Sequence, residues 1–259
     1  MNATAKSPSL AFNLSRYFPI LRLLNPRPYL KPTLIALTIG LLSAWAAMQL
    51  WNAPLWAATF IVLGALLPVG VRKWRDELRE HGWVIMLLSV VVITQGVHTI
   101  EHILQWFQYH VLFWTPRQSV GLLSPADAEW VHFTWNWAVW FVVIGLLKGG
   151  LRNVWMYALL TVTTAHSLEH TYLFVRHLLV LNELRILGVT HIPAQGLPGV
   201  LGRDGWLAHS PAAEWSILAP YSGLITLMRL DVHFWWNTIE MALLLLAGNS
   251  FLLRRGVKA

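Results

Sequence analysis

His98-Thr99-Ile100-Glu101-His102 is a run of five residues that can put two imidazoles and a carboxylate on one side of a helix, because positions i, i+3 and i+4 share a face. The same box returns at His166-Ser167-Leu168-Glu169-His170. A second box follows each copy: His132-Phe133-Thr134-Trp135-Asn136 after the first, and His233-Phe234-Trp235-Trp236-Asn237 after the second. Two matched pairs in the same order describe one unit duplicated. Imidazole with carboxylate is donor chemistry for iron, copper or zinc. The chain has no Cys, which removes thiolate ligands, iron–sulfur clusters, disulfides and covalently attached c-type haem.

Each repeat therefore offers three imidazoles and one carboxylate. The first set is His98, His102, His132 and Glu101; the second is His166, His170, His233 and Glu169. Two carboxylates near a common axis could bridge two ions, giving a dinuclear non-haem site. Asn136, Asn237 and Glu240 are candidates for a surrounding shell or an extra ligand. Iron or copper is expected before zinc.

Other chemistries compete for the same residues. Haem is the alternative cofactor, with two imidazoles on different helices, such as His98 and His166, as axial ligands; it leaves Glu101 and Glu169 unused. His-x-x-Glu-His is also the inverzincin zinc-hydrolase pattern, but such an enzyme needs one box and a cleft for a peptide. Proton or metal translocation lacks an ionisable path into the other half of the membrane. The bland reading is a network of His, Glu, Asn and Trp that fixes helix packing. In chemistry the boxes resemble the histidine boxes of membrane di-iron desaturases and hydroxylases. Those boxes have other spacings and flank the cytoplasmic face, and no residue role is carried across from them.

The elements that must position these residues are set by composition. Hydrophobic residues make up 56% of 259 and charged residues 12%, about half the share usual in soluble domains. The class is an integral, multi-pass membrane protein. The net charge of +7 is confined to loops and ends rather than striped along a helix. It therefore reports topology, and nucleic acid is not an expected partner. The sixteen Trp suit an aromatic belt at the membrane interface. No Gly-rich phosphate loop or nucleophile elbow is present, so electrons for a redox reaction would come from a membrane partner or a quinol.

An all-α fold of about six transmembrane helices follows. The expected spans lie near 32–50, 55–71, 83–112, 130–147, 154–181 and 232–253, each long enough, or nearly so, for a bilayer that needs roughly 20 residues. Residues 1–32 read as a basic interfacial segment and 33–259 as a single membrane domain. The segment 72–80 reads as a solvated loop or short helix. The duplicated hairpins cover about 83–147 and 154–253, related by a pseudo-twofold axis along the membrane normal.

Lys and Arg gather before the first span, after the second, between the fourth and fifth, and after the sixth. That pattern puts both termini in the cytoplasm, with a bacterial inner membrane as the expected location. The long connection 183–231, carrying His191 and His209, then lies on the opposite side, with a short helix expected near 212–218 and a lid over the site as its role. His98 and His102 fall roughly 22 and 28 Å along the third span. His132 and His233 enter from the other side at shallow depth, so all six box histidines share one level. His110 and His177 lie beyond that level, towards interface water. The expectation is a membrane metalloprotein acting as an oxidoreductase on a small or lipophilic substrate. A haem- or pigment-binding or accessory subunit of a larger redox complex is the alternative.

Overall fold

The structure is a computed structural model that describes residues 17–25, 27–123, 128–189 and 197–255. It is all-α among the described residues, with six long helices: α1 Leu30–Trp51, α2 Leu55–His81, α3 Trp83–His110, α4 Glu129–Lys148, α5 Val154–Ile186 and α6 Arg229–Arg255. Five of them are long and apolar enough to cross a membrane. The other, α5, has 33 residues, roughly 50 Å of helix. It is less apolar because it carries His166, Glu169 and His170 together with Arg176, His177, Glu183 and Arg185.

Local chemistry sets the boundaries. Asn52 ends α1 in the left-handed region (φ 51°), a conformation Asn tolerates, and Pro54 precedes α2. The segment 72–80 is continuous with α2 rather than a loop. Lys73 and Glu77 pair one turn apart at 2.5 Å, and the helix runs on to Gly82, whose φ of +83° no other residue type adopts easily. Gly149 and Gly150 stop α4, and the Asn153 side chain caps α5 by accepting from the Met156 N–H.

Helices α3, α4, α5 and α6 form a closed ring in which each packs on the next and α6 returns to α3. The α1–α2 hairpin stands outside this ring and reaches it through α2 on α3. One half of the ring is an apolar core around Leu88, Val92, Val143, Leu146, Met156 and Ala247. The basic N-terminal segment has a docked part: the turn Ile20–Leu23 buries Ile20 and Leu23, and the Ile20 N–H donates to Asn249 on α6. Between α5 and α6 lie 3-10 turns at Leu207–His209, Pro211–Glu214 and Ser216–Tyr221, and a one-turn helix Gly223–Thr226. The expected short helix near 212–218 is thus 3-10 in form. His191 lies outside the described residues.

Candidate metal centre

The other half of the ring is filled by the histidines. All six box imidazoles form one cluster, each ring within 5.1 Å of another by centroid. His98 and His102 are 4.7 Å apart, and His166 and His170 4.9 Å. The two repeats interleave: His132 stacks on His170 at 5.0 Å and 7°, and His102 meets His233 at 5.7 Å. Five of the six are buried and His98 is half-buried.

Within this cluster the first repeat closes on itself. His98, His102 and His132 each offer a ring nitrogen, and the three nitrogens lie within 4.8 Å of one another. Nε2 of His102 and Nε2 of His132 are 3.4 Å apart. A tetrahedral ion with metal–nitrogen bonds of about 2.0–2.1 Å requires a nitrogen–nitrogen edge of about 3.3–3.4 Å. The pair already has the spacing of two ligands of one ion. It is the only such group of three among the described residues.

The far sides of two rings are held. His102 Nδ1 lies 2.9 Å from Gln105 Oε1, which aims Nε2 at the cluster. His166 Nδ1 lies 2.9 Å from Glu240 Oε1, a carboxylate–imidazole pair of the kind that orients metal-bound histidine. Glu240 Oε2 in turn accepts from Gln95, whose Oε1 accepts from Trp135 and whose amide also reaches Asn237. Against these bonds stand ring nitrogens buried without a hydrogen-bond partner among the described residues: Nε2 of His98, Nε2 of His166 and both nitrogens of His170. A network that existed only to fix packing would satisfy its members, because a buried unpaired polar atom costs about 1–3 kcal/mol. A neutral imidazole has one lone-pair nitrogen, so each of these rings can offer one donor to a cation.

Comparison with known protein families, curated proteins and solved structures finds no match for the chain. What the centre can do therefore rests on its own geometry.

Glu101 and Glu169 have a partner that the helix pattern does not reveal. Glu101 accepts the backbone N–H of Leu122 at 2.9 Å and of Leu123 at 2.6 Å. Glu169 accepts those of Val200 at 2.8 Å and Leu201 at 3.3 Å. Each carboxylate thus holds the loop that leads to the next helix of its own repeat. The loops share a short sequence, Gly121-Leu122-Leu123 and Gly199-Val200-Leu201. A Cβ on either glycine would overlap the carboxylate it faces. This third matched segment extends the duplication.

Asn136 and Asn237 make the same bond in each repeat, donating to the carbonyl of His132 at 2.9 Å and of His233 at 3.0 Å. Trp135 lies 5.7 Å from His98 and Trp236 5.1 Å from His166. Beyond the cluster, Arg229 at the start of α6 pairs with the buried Glu129 at the start of α4 at 2.6 Å, and it also donates to the Leu197 carbonyl. His110 lies 2.7 Å from Asp231 and joins α3 to α6. Gln95, Gln105, Glu129 and Arg229 are site residues without a recognisable spacing in the sequence. The one signal that could have found Glu129 and Arg229 is a charged residue at the mouth of each His-Phe-x-Trp-Asn helix.

Proposed function

We infer that the chain is an integral-membrane metalloprotein whose histidine cluster binds transition-metal ions, iron or copper before zinc, and that the bound ions carry out redox chemistry on a small or lipophilic substrate. The observation that carries this reading is the convergence of His98, His102 and His132, with Nε2 of His102 and His132 at a tetrahedral edge length. The unpartnered nitrogens of His166 and His170 extend the donor set towards a second ion. Imidazoles packed 4.7–6.0 Å from one another suit ions better than a flat macrocycle inserted between them. Membrane lipid and a membrane-bound electron donor or acceptor are the partners this chemistry needs. The Lys and Arg distribution supports cytoplasmic termini, and a bacterial inner membrane is the location this reading proposes.

Elemental analysis and an absorption spectrum on protein purified in mild detergent without chelator test the reading. One to two iron or copper atoms per chain without a Soret band are expected. A Soret band would replace the reading with haem. Protein free of metal, with unchanged thermal stability on added iron or copper, would reduce the cluster to a packing device.

A further inference from the structure

The α1–α2 hairpin belongs to neither repeat, and it walls one side of a half-open hollow. Between it and the face of α3, with a wall from α4, lies a cavity of about 570 Å³, inside the roughly 300–1,000 Å³ range of sites that bury small ligands. Its sides are apolar, among them Leu63, Leu66, Ile93, Val97 and Trp135. It is long. One end is at Tyr29, Lys73 and Trp74; the other is at His98 and Glu101. Along α3 the lining runs from Ile93 to Glu101, roughly 12 Å of helix, and Lys73, whose Nζ bonds Ser89 Oγ at 2.6 Å, lies beyond Ile93.

The two ends differ in chemistry. At the Lys73 end the polar groups are spent on each other: Lys73 on Glu77 and Ser89, and Tyr29 on Asp76 at 2.8 Å. At the other end the wall contains His98, an imidazole of the metal triad, and the Glu101 carboxylate, which also holds the amides of Leu122 and Leu123. Among the described residues no Lys or Arg lines this end, so an anionic head would lose its water with no side-chain cation there to meet it. A neutral hydroxyl can donate to this wall.

We propose that this cavity is the binding site of a neutral single-chain amphiphile with a hydroxyl-bearing head, of the quinol or long-chain alcohol kind. The head lies beside His98 and Glu101 and the chain runs along α3 towards Trp74. The proposal rests on the metal-centre reading for its chemistry, but binding itself can be measured whether or not metal is present.

Trp74 and Trp135 line opposite ends of the cavity and provide the signal. Full-length protein in lipid nanodiscs is titrated with 12-bromododecan-1-ol, whose terminal bromine quenches nearby indole fluorescence, and with 12-bromododecanoate at pH 8. Decylhydroquinone serves as competitor, and metal content is measured on the same samples. The alcohol should quench saturably, be displaced by decylhydroquinone, and bind at least tenfold more tightly than the carboxylate. Val97→Phe and Leu66→Phe, which fill the cavity from opposite walls, should each weaken binding at least tenfold. Trp74→Phe should lower the quenching amplitude. Equal affinity for the carboxylate, or unchanged affinity in both filling variants, overturns the proposal. Failure of decylhydroquinone to displace the alcohol narrows the head to an aliphatic alcohol and overturns the quinol half. Binding as described in a protein that holds no metal supports the cavity while removing the metal-centre reading, so the two failures are separable.

Discussion

The two repeats share their boxes and differ in what surrounds them. In the first, His102 is held by Gln105; the equivalent position in the second is Leu173, and His170 has no hydrogen-bond partner on either nitrogen among the described residues. In the second, His166 is held by Glu240; the equivalent position in the first is the buried Val139. Trp236 lies flat on His166 at 7°, whereas Trp135 is tilted 48° from His98 and donates to Gln95. His98, half-buried, lines the cavity; His166 is fully buried. A duplicated set of boxes has thus been given two environments, one accessible and one sealed. Identical boxes supply the donors, and the neighbours that are not duplicated decide which donor is aimed and which can be reached.

The largest effect is expected where the halves are joined. Arg229 of the second repeat meets Glu129 of the first, and Glu129 is only 1% exposed. Arg229→Met should cost about 3–5 kcal/mol in stability, because it leaves a buried carboxylate without its cation. Adding Glu129→Leu should recover most of that. Unfolding in detergent monitored by denaturant measures both. A single variant within about 1 kcal/mol of wild type would mean that the halves do not depend on this pair.

Next come the ligands themselves. His102→Ala removes one corner of the closed triad and should lower affinity for the first ion at least about 100-fold, about 2.7 kcal/mol. His170→Ala should leave that ion in place and affect only the second. Metal titrations of the two variants that come out alike would erase the distinction between the repeats. The orienting residues should act more weakly: Gln105→Leu and Glu240→Gln each reduce metal affinity by about 10–100-fold, and on different ions. If both act on the same ion, the cluster is a single site and the two halves are one.

The sequence carries the helices and the level of the boxes, because apolar length and i, i+3, i+4 spacing are local properties. The six-histidine cluster follows from them once His132 and His233 enter from the far side. The surroundings do not follow. Gln95 and Gln105 are lone polar residues in apolar runs, Glu240 is legible only as a candidate for the surrounding shell, and only the α3–α6 contact shows that Gln95 bridges Asn237 and Glu240. The continuation of α2 through 72–81 is missed because charge density reads as a loop until the Lys73–Glu77 pairing is seen. The bridging role expected for Glu101 and Glu169 stands beside bonds to loop amides that no helix periodicity could announce. The cavity belongs to the gap between the α1–α2 hairpin and the ring, and that gap has no signature along the chain.

The smallest expected effect separates the two loop anchors. Gly121 and Gly199 both leave room for a glutamate carboxylate, so Ala at either position must displace it. Gly121 also has φ +67°, in the left-handed region, while Gly199 is not among the positive-φ glycines. Gly121→Ala therefore carries a conformational cost of about 1–2 kcal/mol beyond the steric one, and Gly199→Ala does not. Because Glu101 also lines the cavity, moving it should alter 12-bromododecan-1-ol binding in Gly121→Ala, with binding unchanged in Gly199→Ala. Thermal unfolding and the quenching titration, run on the same two variants, read both parts. Equal destabilisation with equal binding would make the two anchors interchangeable and confine the asymmetry of the repeats to the metal centre.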